Sequence, residues 1–141
     1  GSNTVSGTLA QFNTAVSDAD LVSLTGTETL TNKTITTKSL RETEIAMAAN
    51  DIDLSLANYF TKTISSITTL TVSNIPASGV AASFILDLTN GGSFAITWWS
   101  GVKWASGTAP TLTASGRDTL GFFTYDGGTT WTGLVLGKDI K

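Results

Sequence analysis

Between Ser23 and Leu40 the chain reads Ser-Leu-Thr-Gly-Thr-Glu-Thr-Leu-Thr-Asn-Lys-Thr-Ile-Thr-Thr-Lys-Ser-Leu, a run dominated by threonine. Threonine is stiff about χ1 and favours extended backbone. The run offers only Leu24, Leu30, Ile35 and Leu40 as large apolar side chains. Four aliphatic residues so widely spaced cannot close a core within one chain. An extended segment of this kind needs neighbours to supply the missing apolar face, most simply further copies of itself. The stretch therefore predicts a chain that is not a monomer, with these four residues facing a shared axis.

Composition narrows the rest. Of 141 residues, 40% are apolar and four are tryptophan, which argues against disorder for most of the chain, while only 13% are charged. Helices with charged outer faces are thus scarce, and strands and turns dominate. The net charge is −3. Lys33, Lys38 and Arg41 are the densest basic group, and Glu42 and Glu44 follow at once, so a phosphate-tracking nucleic-acid surface is disfavoured. No segment is apolar for the length of a membrane span, so no membrane insertion is expected. Cysteine and histidine are both absent. The chain lacks a disulfide framework, the usual general base and the usual zinc ligand, and no metal or cofactor is expected.

Three zones follow along the chain. Gly1-Ser2 reads as a cloning scar, and residues 1–6 as a tag remnant and disordered lead, with natural chain expected before it. Residues 7–41 combine a short helix with the threonine-rich shaft. In the helix Leu9, Phe12, Val16 and Leu21 recur at helical steps, with Thr8 as cap and Gln11 in the capping-box position. Residues 42–141 form an all-β head. Ile52, Leu54 and Leu56 alternate with Asp51, Asp53 and Ser55, and strands are expected over Tyr59 to Ile64 and Leu70 to Val72. Ala82 to Thr89 is expected to pair with Ser93 to Trp99 across Asn90-Gly91-Gly92. A second hairpin joins Leu120 to Tyr125 and Thr130 to Leu136 across Asp126-Gly127-Gly128. Turn signals about every ten residues suit a β-sandwich of jelly-roll type.

Several stretches beyond the Leu30-Thr31-Asn32-Lys33-Thr34-Ile35 core of the shaft are distinctive: Asp53 to Ile64, Leu86 to Ser93, Val102 to Trp104, Gly107 to Gly116, and Asp126 to Trp131. As a set they resemble the C-terminal region of tail-fibre and related virion proteins of tailed bacteriophages. The resemblance implies a virion location, an intertwined homotrimer, attachment to other virion proteins through a preceding segment, and contact with the host surface. It carries over no binding or catalytic residue.

Chemistry is sparse. Trp99, Trp104 and Tyr125 are the candidates for stacking on a bacterial surface polysaccharide, since exposed aromatic faces suit sugar rings. Strand alternation places Phe94, Ile96 and Trp98 on an interior face and Trp99 on the opposite one. Asp51 and Asp53 share a strand face, the arrangement that a glycoside-cleaving pair or a hard-cation site on a three-fold axis would use, with Asp18, Asp20 or Asp126 as further ligands. A solvated strand face is the preferred reading of the pair. Serine nucleophiles have no histidine partner. The glycine pairs are followed by no helix and so are turns, not phosphate cradles. The combined expectation is a trimeric, non-enzymatic fibre-tip adhesin, with a purely structural trimerisation, capping or capsid-decoration module as first alternative and a small polysaccharide hydrolase as second.

Overall fold

The computed structural model describes residues 6–8, 10, 11, 39 and 41–141. The chain divides into two compact units, Gly1–Ser39 and Leu40–Lys141. In the first, the capping box forms as the spacing predicts. The Thr8 N–H donates to Gln11 Oε1 at 2.8 Å, and the Gln11 N–H donates back to Thr8 Oγ1 at 3.3 Å. Ala10 and Gln11 are helical. The remainder of the expected helix and shaft, including Leu24, Leu30, Ile35 and Leu40, lies outside the described residues.

The second unit is mainly β, as composition predicts. Its strands are β1 (Glu44–Ala46), β2 (Asp51–Asp53), β3 (Tyr59–Thr63), β4 (Thr68–Thr69), β5 (Thr71–Ser73), β6 (Ala82–Thr89), β7 (Ile96–Thr97), β8 (Val102–Trp104), β9 (Arg117–Thr124) and β10 (Trp131–Ile140). A six-stranded sheet runs β1-β3-β6-β9-β10-β8, and two ribbons pair β2 with β5 and β4 with β7. The pairs β1–β3, β3–β6, β2–β5 and β4–β7 are all parallel. Read in chain order, these ladders describe a three-sided coil in which successive circuits stack in register. Bonds between the strands continue the coil: the Ile64 N–H donates to Thr89 O at 2.9 Å, and the Leu70 N–H to Thr97 O at 2.9 Å. The interior fills with one apolar residue or two per short strand, among them Ile52, Phe60, Ile64, Leu70, Leu86 and Leu88, each at most 2% exposed.

Two hairpins were expected and one forms. β9 and β10 are antiparallel, with Gly133 opposite Phe122 and Leu134 opposite Gly121. Gly127 and Gly128 both hold positive φ in the turn, where a side chain is strained. The other expectation is corrected. β6 pairs with β3 and β9, and Ile96–Thr97 pairs with β4 instead of returning along β6. The cause is local. Asn90 takes φ 59°, its N–H donates to Gly116 O at 2.8 Å, and the Gly92 N–H donates to Thr113 O at 2.9 Å. The turn is captured by the 112–116 segment and the chain leaves the sheet.

Candidate functional site

The aromatic residues converge on the inner face of the six-stranded sheet. Phe84 of β6 stacks on Phe122 of β9 at 5.1 Å and 24°. Trp99 meets Phe122 at 4.7 Å and Trp131 edge-on at 5.9 Å. Trp98 packs edge-on against Trp104 at 5.1 Å and reaches Phe122 at 5.8 Å. Trp98 and Trp99 therefore enter the same core, against the expectation from strand alternation. The strand stops at Thr97, and alternation has no force beyond it. Phe94 is also corrected: it lies before β7, is 44% exposed, and borders a cleft with Ile96 and Trp98.

The three sugar-stacking candidates are not brought together. The Trp99 ring packs within the aromatic cluster and its indole nitrogen is buried without a hydrogen-bond partner, as is that of the fully buried Trp131. Tyr125, at the end of β9, is 69% exposed. Trp104 closes β8 and lies against Gly133, where a Cβ would stand 2.6 Å from the indole. One edge of Trp104 borders an open cleft of about 350 Å³ completed by Ala105, Thr108, Pro110, Gly133, Leu134 and Val135. Trp104 thus lines an open cleft.

The carboxylates are engaged internally. Asp51 accepts the Thr71 hydroxyl at 2.6 Å and the Ser73 hydroxyl at 2.5 Å across the β2–β5 ribbon. Asp53 accepts the Ser55 hydroxyl at 2.7 Å, the Asn74 amide at 2.6 Å and the Ser55 N–H at 2.9 Å. These donors hold the Asp53 carboxyl below its ordinary range, the Ser55 hydroxyl contributing most. A glycosidase acid needs the opposite shift. Asp126 caps its own turn by accepting the Thr124 hydroxyl and the Thr130 N–H, both at 2.9 Å. Among the described residues no group of three or more acidic, histidine or cysteine side chains is arranged to hold a metal. Asp18 and Asp20 lie outside them.

Two buried acids were not singled out from the sequence. Asp118 is fully buried and binds Thr113 and Asp139. Asp87, 3% exposed, lies on the outer face of the sheet and accepts the Tyr59 hydroxyl at 2.8 Å and the Thr119 hydroxyl, with Arg117 at 3.5 Å. For Asp87 the available signal was its Leu-Asp-Leu context, an acid inside an apolar run, whereas Asp118, between Arg117 and Thr119, carried no such signal. Beside Asp87 the same outer face turns apolar and open: Phe123, Leu134 and Leu136 are 41%, 44% and 55% exposed.

No protein-family model matches the chain, and no curated protein or solved structure is detectably similar to it.

Proposed function

We propose that the chain is the tip module of a phage fibre or spike, a homotrimeric adhesin whose β-rich head meets bacterial surface polysaccharide at the cleft beside Trp104. The observation that carries this reading is the cleft itself. It joins Trp104, Thr108 and Pro110 in the lining of one open hollow of about 350 Å³. Concave, largely apolar sites with a few polar groups are where small ligands bind. The shaft residues Leu24, Leu30, Ile35 and Leu40 would close a three-chain core, and the β-rich head would follow.

The test is retention on a panel of purified bacterial surface polysaccharides. The intact chain is expected to bind at least one of them. Trp104→Ala, shown to be folded by circular dichroism, should lose at least tenfold in affinity, and Tyr125→Ala should lose little. Equal binding by Trp104→Ala would overturn the site.

A second reading, a trimerisation or capping module without a receptor site, is favoured by one specific fact. Trp99 and most of the aromatic surface are spent on the core. The hydrolase reading has less support, because both carboxylates of its candidate pair are tied to hydroxyl and amide donors.

A further inference from the structure

We propose that the Trp104 cleft is one end of a longer groove that passes Pro110 to reach Trp98 and Phe94, and that this groove takes an extended, uncharged glycan chain. The inference rests on the polysaccharide reading of the Trp104 cleft and adds to it a second subsite, a length of ligand and a charge class.

Two hollows make up the groove. Trp104, Thr108 and Pro110 belong to the one of about 350 Å³. Phe94, Trp98, Pro110 and Thr111 belong to a second, of about 220 Å³. Pro110 lines both, and Trp98 meets Trp104 edge-on at 5.1 Å, so a pair of indoles in contact links the two. Small-ligand sites usually enclose about 300–1,000 Å³. The second hollow falls short of that alone and extends its neighbour. One wall of the groove is the segment from Thr108 to Leu112, which belongs to no helix or strand. Its far end is fixed. Thr113 is held by Asp118 and accepts the Gly92 N–H at 2.9 Å, and a Cβ on Gly92 would stand 2.1 Å from the Leu112 carbonyl oxygen. Short of that anchor, Ala109, Thr111 and Leu112 make no hydrogen bond to another described residue. The wall is thus set in place with its polar groups unspent, the preorganisation that lowers the cost of binding.

The lining selects the occupant. Among the described residues no charged side chain borders either hollow, so an acidic sugar or a phosphate would enter without a counter-charge. A purely apolar ligand would strip water from the backbone groups of Ala109, Thr111 and Leu112 and leave them unpaired. An added peptide strand would need a regular row of N–H donors, and Pro110 interrupts that row. A neutral sugar chain meets all three conditions. Its hydroxyls both donate and accept, which suits the open backbone and the Thr108 and Thr111 side chains, while its C–H faces suit the rings of Phe94, Trp98 and Trp104. A ligand that spans two joined subsites binds more tightly than either subsite alone allows.

The test is titration calorimetry of the intact chain with an uncharged polysaccharide that it retains, cut by partial hydrolysis and sized into a series from disaccharide to octasaccharide. Affinity should climb about tenfold from the shortest member to the longest and then level off. Phe94→Ala removes a ring that is 44% exposed and lies outside the core. It should weaken the longest oligomer about fivefold and leave the disaccharide unchanged, whereas Trp104→Ala should weaken both. Thr111→Arg, at an exposed position, fills the second hollow and should reproduce the length-selective loss. Equal affinity along the series, or parent-like binding of the longest oligomer by both Phe94→Ala and Thr111→Arg, overturns the groove and leaves the Trp104 site standing. Retention of acidic polysaccharides alone, or of an extended peptide in place of any sugar, also overturns it. Binding of no polysaccharide removes the groove and the attachment reading together.

Discussion

The Asp118 carboxylate holds Thr113 at two points, accepting its N–H at 2.5 Å and its hydroxyl at 2.7 Å, and so pins the long loop before β9. A third bond, from the Asp139 N–H at 2.9 Å, ties in the far end of β10. Asp118→Ala strands these donors in a fully buried site, and the expected cost is about 3 kcal/mol. Denaturant unfolding of the two proteins checks it.

Acid should weaken the head through the same group. Burial of Asp118 raises its pKa, but the Thr113 and Asp139 donors together outweigh burial and leave it below the ordinary value. Asp53 and Asp126 are lowered as well, by their hydroxyl, amide and N–H donors. A carboxyl with a depressed folded pKa contributes its stability above the unfolded value and loses it as pH falls through the folded one. Melting temperature should therefore hold steady above about pH 5 and fall below about pH 4. Asp118→Asn should flatten that fall.

Glycine at close approach gives a graded test. A Cβ on Gly92 would stand 2.1 Å from the Leu112 carbonyl oxygen, a backbone atom with little room to yield. Gly92→Ala is expected to cost about 3 kcal/mol. Gly133→Ala meets the Trp104 indole instead, which can shift, and should cost about 1–2 kcal/mol while reshaping the cleft. Urea midpoints of the two variants decide the order.

Trp99→Phe should be nearly neutral, within about 1 kcal/mol. It removes apolar contact, but it also removes a buried indole N–H that has no acceptor. Trp99→Ala, which leaves a cavity among Phe84, Phe122 and Trp131, should cost about 3–5 kcal/mol. Comparable losses in the two variants would show that the nitrogen is paired in solution.

The Tyr59 hydroxyl donates to Asp87, and this bond, with burial and the nearby negative charge added, lifts its pKa above 10. Ultraviolet absorbance titration should show the Tyr59 phenol ionising later than an ordinary tyrosine. Asp87→Asn is expected to lower its titration toward the ordinary tyrosine range, and no change would show that Asp87 is not the cause.

What could be read from residues alone was local. The β9–β10 hairpin was legible because alternation and the Asp-Gly-Gly turn agree over adjacent sequence. The Thr8–Gln11 cap was legible for the same reason. The turn at Asn90-Gly91-Gly92 was misread because its direction is set by Thr113 and Gly116, some twenty residues away. Parallel ladders leave no adjacent signature, so the coil was invisible. Trp99 was read as facing away from the core because a strand was extended two residues past its end at Thr97. Asp87 and Asp118 were missed because hydroxyl and N–H partners cannot be paired with an acid before the register is known.

The parallel coil also says something about time. Glu44 pairs with Tyr59, Tyr59 with Ile85, and Thr68 with Ile96, so none of these ladders can be started by a turn between neighbours. Each circuit must close a loop before its hydrogen bonds and buried side chains compensate for the lost chain entropy. Domains built from such distant pairings fold in milliseconds to seconds instead of microseconds. The β9–β10 hairpin is the one long ladder free of that constraint, and is the natural place for folding to begin. A head assembled in this order would be slow to form.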